Sequence, residues 1–127
     1  MTMSPGFRDY LLDQLEPFGP VAAKRMFGGG GLYLDGAMFG LIADDVLYLK
    51  ADDGNRAGFE DAGMAPFAYE KKTRKEPVKL SFWECPPDVL ENPEALSAWA
   101  GRAWEAARRS GSRKKKKKKK NKKTAAP

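Results

Sequence analysis

Arg25-Met26-Phe27-Gly28-Gly29-Gly30-Gly31-Leu32-Tyr33-Leu34-Asp35-Gly36, with the residues that follow as far as Asp53, is the segment around which the rest of the chain is organised. Three apolar runs lie close together here: Leu32-Tyr33-Leu34, Met38-Phe39-Gly40-Leu41-Ile42 and Val46-Leu47-Tyr48-Leu49. Asp35-Gly36 separates the first two. Asp-Gly between apolar runs is a strong hairpin signal, because glycine takes positive φ at no steric cost. Asp44-Asp45 separates the second and third, a weaker pair, though aspartate tolerates turn geometry better than most residues. The pattern predicts an antiparallel meander with very short loops.

The four glycines, Gly28 to Gly31, do not form a phosphate cradle. Such a loop runs into a helix and carries Lys-Ser or Lys-Thr after its last glycine, whereas Gly31 is followed by a strand. The dinucleotide pattern G-x-G-x-x-G fails too, since Tyr33 or Leu34 stands where the third glycine belongs. A bulge or a close backbone approach between strands is the expectation.

The segments around the meander complete an α+β outline. Ser4-Pro5 reads as an N-cap followed by proline at the first helical position. Phe7, Leu11 and Leu15 then recur at helical spacing up to Pro17. Residues 21–27 predict a first strand, in which Lys24 and Arg25 are adjacent charges. One of them is expected on the core side, with Arg25 either in a salt bridge or on a functional surface. Asp52 or Asp53 is expected to cap a short helix through Phe59 and Glu60, ended by Gly63. Asp52-Asp53-Gly54-Asn55 lacks the alternating oxygen ligands and the distal glutamate of a calcium loop. Phe67 and Tyr69, then Val78, Leu80 and Phe82, alternate as strand residues. Trp83 falls on the opposite face, against a helix or a partner. Pro87 to Leu90 predicts a single helical turn. Asn92-Pro93-Glu94 starts a last helix with one stripe of Leu96, Trp99, Ala100, Ala103, Trp104 and Ala107. Gly101 inside it costs about 1 kcal/mol relative to alanine, which predicts tight packing there. The strands cluster rather than alternate with long helices. That favours an antiparallel sheet of five or six strands packed against N- and C-terminal helices.

Composition narrows the chemistry. The chain has 127 residues, one cysteine and no histidine. Histidine general bases, Ser-His and Cys-His pairs, and most zinc or iron sites are thereby excluded. Cys85 reads as structural. No cofactor, no metal and no catalytic set is expected, and the reading is non-enzymatic. No apolar run has the length of a membrane span and no secretory leader stands at the N-terminus, so a cytoplasmic protein is the expectation.

The net charge of +6 hides a split. Residues 1–107 hold 11 Lys and Arg against 17 Asp and Glu, a balance of −6, while residues 108–127 hold 12 Lys and Arg and no acid, +12. The tail contains Arg113, Lys114, Lys115, Lys116, Lys117, Lys118, Lys119, Lys120, Lys122 and Lys123. It is too polar to offset its own ordering entropy and is expected to be disordered from 110 to 127. Counterion release makes it a candidate arm for DNA or RNA. A solubilising tail and membrane-surface attraction are the alternatives. Lys71, Lys72, Arg74 and Lys75 form a second basic cluster in a loop, able to touch phosphates or only to guard a sheet edge.

Lys24-Arg25-Met26-Phe27-Gly28-Gly29, Gly31-Leu32-Tyr33, Met38-Phe39, Ala43-Asp44-Asp45 and Leu47-Tyr48-Leu49-Lys50 resemble the N-terminal domain of the TfoX/Sxy competence-regulator family. Downstream the resemblance continues through Asn55-Arg56, Phe59, Gly63, Pro66-Phe67 and Tyr69-Glu70-Lys71-Lys72, so that residues 1–109 read as one such domain. The family resemblance implies a bacterial accessory factor in transcription, acting with the catabolite-activator protein at competence promoters. Full-length members carry a second C-terminal domain where this chain has its lysine tail, which implies a stand-alone form. Arg25, Met26, Phe27, Gly28, Gly29, Tyr33, Tyr48 and Trp83 mark a possible interaction surface. The partners expected are nucleic acid through the tail, a transcription protein, and at most one further copy of the chain. The competing reading is a small-molecule or protein-interaction module, with an anion pocket near Arg25, Tyr33, Tyr48 and Trp83.

Overall fold

The computed structural model describes the backbone of residues 3–26, 28–69 and 78–125; the side chains of 68–69, 78–80 and 111–125 lie outside that description. Helix α1 (Pro5–Gln14) is followed by β1 (Ala22–Met26), β2 (Gly29–Leu34), β3 (Ala37–Ala43), β4 (Val46–Lys50), α2 (Arg56–Asp61), β5 (Pro66–Tyr69), β6 (Val78–Glu84), α3 (Pro87–Leu90) and α4 (Pro93–Ala125). The six strands form one sheet in the order β1-β2-β3-β4-β6-β5, with every pairing antiparallel.

Both short hairpins form where the sequence places them. Asp35 and Gly36 have φ of 50° and 80°, and Asp44 and Asp45 have 52° and 55°. Positive φ at both central residues is the two-residue turn whose twist matches the flanking strands. Asp44-Asp45 adopts it without a glycine. Asp45 Oδ1 also accepts the backbone N–H of Ser4 at 2.7 Å, so the turn is tied to the start of α1.

The bulge lies beside the glycine run, on β3. Leu32 faces Gly40 and Tyr33 faces Met38, leaving Phe39 as the extra residue. A bulge shifts side-chain phase by one position. Phe39 is thereby turned into the core, edge-on to Phe18 with ring centroids 5.4 Å apart, and Met38 is turned to the other face. The glycines serve close approach instead. A Cβ on Gly30 would run into Met3 Sδ, and one on Gly31 would meet Tyr33 Cε1 at 3.1 Å and Met38 Cε at 3.2 Å.

All the packed helices sit on one side of the sheet. Leu11 and Leu15 of the α1 segment, Phe59 of α2, and Leu96, Ala100 and Ala103 of α4 join Leu32, Phe39, Ile42, Leu47 and Leu49 in the main core. Full burial of a leucine or phenylalanine side chain is worth about 1.5–3 kcal/mol, so this layer dominates stability. Trp83 belongs to it, 6.2 Å from Phe59, as its alternation predicts. Trp99 meets Phe59 edge-on at 5.0 Å, and Trp104 Nε1–H donates to the Leu34 carbonyl at 2.8 Å.

Three expectations need correction. The N-cap of α2 is Asn55 rather than Asp52 or Asp53, and its side chain makes no capping bond. Asn55 is buried, accepting from Asp52 N–H and donating to the Lys50 carbonyl. Gly101 is not tightly packed: the nearest atom to an added Cβ is Phe18 Cε1 at 3.8 Å, ordinary contact. Neither Lys24 nor Arg25 is buried on the core side; both are exposed. The backbone of α4 continues as helix through Ala125, across the Ser110-Gly111-Ser112 joint where composition predicts loss of structure. Lysine is a good helix former, while like charges at i,i+4 oppose the helix.

Candidate functional site

Two surfaces collect polar or aromatic side chains that the core does not use. One is the helix-free side of the sheet. Leu41, Ala43 and Phe67 form a small second apolar cluster there, with Met38, Tyr48 and Phe82 packed against it. Tyr48 and Phe67 meet edge-on at 5.0 Å. Lys24 lies beside Gly31 in the β1–β2 register, and its Nζ stands 4.9 Å above the Tyr33 ring. At the far side Lys50 Nζ stands 5.1 Å above the Phe82 ring. Burial, with Glu84 and Asp44 next in effect, raises the Tyr48 hydroxyl above its ordinary pKa.

The other is an open cleft of about 240 Å³ lined by Lys50, Ala51, Asp52, Asp53, Arg56, Ser81 and Ser110. Arg109 grips Asp52 with two bonds, Nε to Oδ2 at 2.7 Å and Nη2 to Oδ1 at 2.9 Å. That fork raises the Arg109 pKa further and holds α4 at Arg109 against the β4–α2 connection. Arg56 pairs with Asp53 at 2.8 Å. Lys50 Nζ donates to Ser81 Oγ at 2.6 Å, a geometry that invites comparison with Ser-Lys nucleophile pairs. Ser81 is exposed and Lys50 lines an open cleft, whereas such a pair works in a site that excludes water. The contact reads as a hydrogen bond, not as catalytic machinery.

The remaining sequence candidates separate. Tyr33 and Tyr48 lie on the helix-free face, Trp83 lies in the helix-covered core, and Arg25 is exposed on β1 with no ion pair among the described residues. They do not form a common anion pocket. Met26 and Gly29 close the β1–β2 ladder and Gly28 turns between them with φ 80°. Phe27, Lys71, Lys72, Arg74 and Lys75 lie outside the described residues, as do the side chains of Arg113 to Lys123. Cys85 is buried, its Sγ 3.6 Å from the Pro86 carbonyl. Burial, aided by Glu84, pushes its thiol up to about 12, which makes it inert rather than nucleophilic. Among the described residues no group of three or more Cys, Asp or Glu is placed to hold a metal, and no helix is long and apolar enough to cross a membrane.

Sequence reasoning missed Lys24, Lys50, Phe82, Asp52 and Arg109. Strand alternation could have put Lys24 with Tyr33. Nothing local could have joined Asp52 to Arg109.

Residues 13–107, the span from the end of α1 into α4, match the TfoX N-terminal domain. The chain belongs to the TfoX N-terminal domain family. Among curated proteins it is similar to the DNA transformation protein TfoX1 of Aliivibrio fischeri, 32% identical over 85 residues. That alignment covers 67% of this chain and 40% of the relative, so the chain spans less than half the length of the TfoX1 protein it matches. The matched TfoX region contains the whole sheet, and with it the helix-free face.

Proposed function

We propose that this chain is a non-enzymatic accessory protein of the TfoX kind. It works in the cytoplasm in transcription linked to competence, with its basic C-terminal arm holding it on nucleic acid without sequence preference. Membership of the TfoX N-terminal domain family supports the regulatory class, as does a relative named for DNA transformation. The observation that carries the nucleic-acid part is the charge split, −6 over residues 1–107 against +12 over 108–127. A cluster of that density releases counterions on a phosphate backbone, while an acidic globule is repelled by it. Specificity then needs a protein partner, since phosphate contacts carry no sequence information.

The test is duplex DNA affinity against salt for the full chain and for residues 1–109. The full chain is expected to show a log–log slope of about −5 to −9, from some 6–10 phosphates engaged, and the shortened chain no measurable affinity. Equal binding by both would remove the arm from the reading and move Lys71, Lys72, Arg74 and Lys75 to the front.

A second reading is an interaction or small-molecule module in which the arm only solubilises. The separate apolar cluster on the helix-free face favours it. Thermal-shift screening of the full chain against metabolites and peptides addresses it, and a screen without hits counts against it.

A further inference from the structure

The sheet presents an aromatic, lysine-flanked face on the side its helices leave open. Tyr33 on β2 and Phe82 on β6 are partly buried rings that each carry a lysine ammonium, Lys24 at 4.9 Å and Lys50 at 5.1 Å from the ring centroids. Three strand spacings separate β2 from β6 in the sheet order, roughly 14 Å at about 4.8 Å per spacing. Gly31 carries no side chain, which lets the Tyr33 ring lie over the sheet. Among the described residues Asp44 and Glu84 act on Tyr48. Tyr48 is therefore the least suited of the three rings to receive an anionic chain.

We propose that this face is a stacking platform for single-stranded nucleic acid, with bases on Tyr33 and Phe82 and the backbone phosphates on Lys24 and Lys50. The proposal rests on the reading above that the partner is nucleic acid. An ammonium over a half-buried ring is held less strongly than a base stacked on it. An arriving base therefore displaces Lys24, whose flexible stem carries the charge to the adjacent phosphate, while Lys50, also bonded to Ser81 Oγ at 2.6 Å, meets its phosphate from the edge of the Phe82 ring. Open antiparallel sheets bearing aromatics read unpaired bases in this way. A duplex keeps its base faces stacked internally and offers these rings nothing, so the platform selects single strands while the arm does not discriminate.

The test uses the full chain, with a short oligothymidylate and a duplex of equal length as probes, by fluorescence anisotropy. Tyr33→Leu and Phe82→Leu are each expected to weaken single-strand binding roughly tenfold and to leave duplex binding unchanged. Lys24→Gln, at an exposed residue, is expected to flatten the single-strand salt slope by about 0.7. Single-strand affinity unchanged in both ring variants, or single-strand and duplex affinities falling together, overturns the platform while the arm stands. A wild-type chain that binds neither probe overturns the platform and the nucleic-acid reading with it.

Discussion

Gly101 and Gly30 carry opposite expectations under the same substitution. At Gly101 an added Cβ finds only Phe18 Cε1 at 3.8 Å, so Gly101→Ala restores helix propensity at no packing cost. A gain of up to about 1 kcal/mol is expected, seen as a higher urea midpoint with unchanged m. At Gly30 the Cβ would meet Met3 Sδ and the Lys24 carbonyl. Gly30→Ala makes the Met3 thioether repack and tightens the contact with the Lys24 carbonyl, and is expected to cost about 1–2 kcal/mol in the same assay. Cys85 sets a pH prediction. Its thiol is pushed up to about 12 in the folded chain, against an ordinary value of about 9. Below the ordinary value the thiol is neutral in both states and no stability is lost. As pH rises from there towards 12, the unfolded chain ionises first and stability falls by up to about 1.4 kcal/mol per pH unit from this group. Cys85→Ala is expected to flatten that alkaline limb.

At the scale of elements, the Asp44-Asp45 turn joins two demands that pull apart. Asp45 holds a φ of 55°, strained for a residue with a Cβ, yet its carboxylate accepts the Ser4 N–H. Asp45→Gly relieves the strain and loses the bond, so near-neutral stability is expected. Asp45→Ala loses the bond and keeps the strain, at a cost of about 1–2 kcal/mol. Similar thermal-unfolding losses in the two variants would remove the backbone term from this account. The Asp52–Arg109 fork acts between elements in another way. Arg109 is exposed enough that the fork adds little to global stability. Asp52→Asn is therefore expected to leave the melting temperature nearly unchanged while speeding amide exchange around Arg108–Ser110.

At the scale of the molecule, the packed layer ends with Ala107 on α4, and beyond it the described side chains reach back through the Arg109 fork and through Arg108 over the Trp104 ring. Removing residues 110–127 is expected to leave the melting transition almost where it is, a shift of at most a degree or two in calorimetry. A large shift would mean that the lysine run is part of the fold. The helix-free face makes a second whole-molecule point. One layer of helices closes only one side of a sheet, so the sequence commits the other side, with Tyr33, Tyr48 and Phe82, to solvent or to a partner.

The hairpins, the cap at Ser4, the stripe on α4 and the face of β6 that carries Trp83 were legible in the sequence. Each follows from local rules of period, turn geometry and capping that act over a few residues. The charge split and the chemistry closed to a chain without histidine were legible there as well. That the bulge falls at Phe39, which re-phases one strand and turns Met38 away from the core, came from long-range packing. The same holds for the space beside Gly101, the capture of Asp52 by Arg109, and the separation of Tyr48 from Trp83 onto opposite faces. These depend on register and on contacts between residues tens of positions apart, where a shift of one residue exchanges the two faces of a strand.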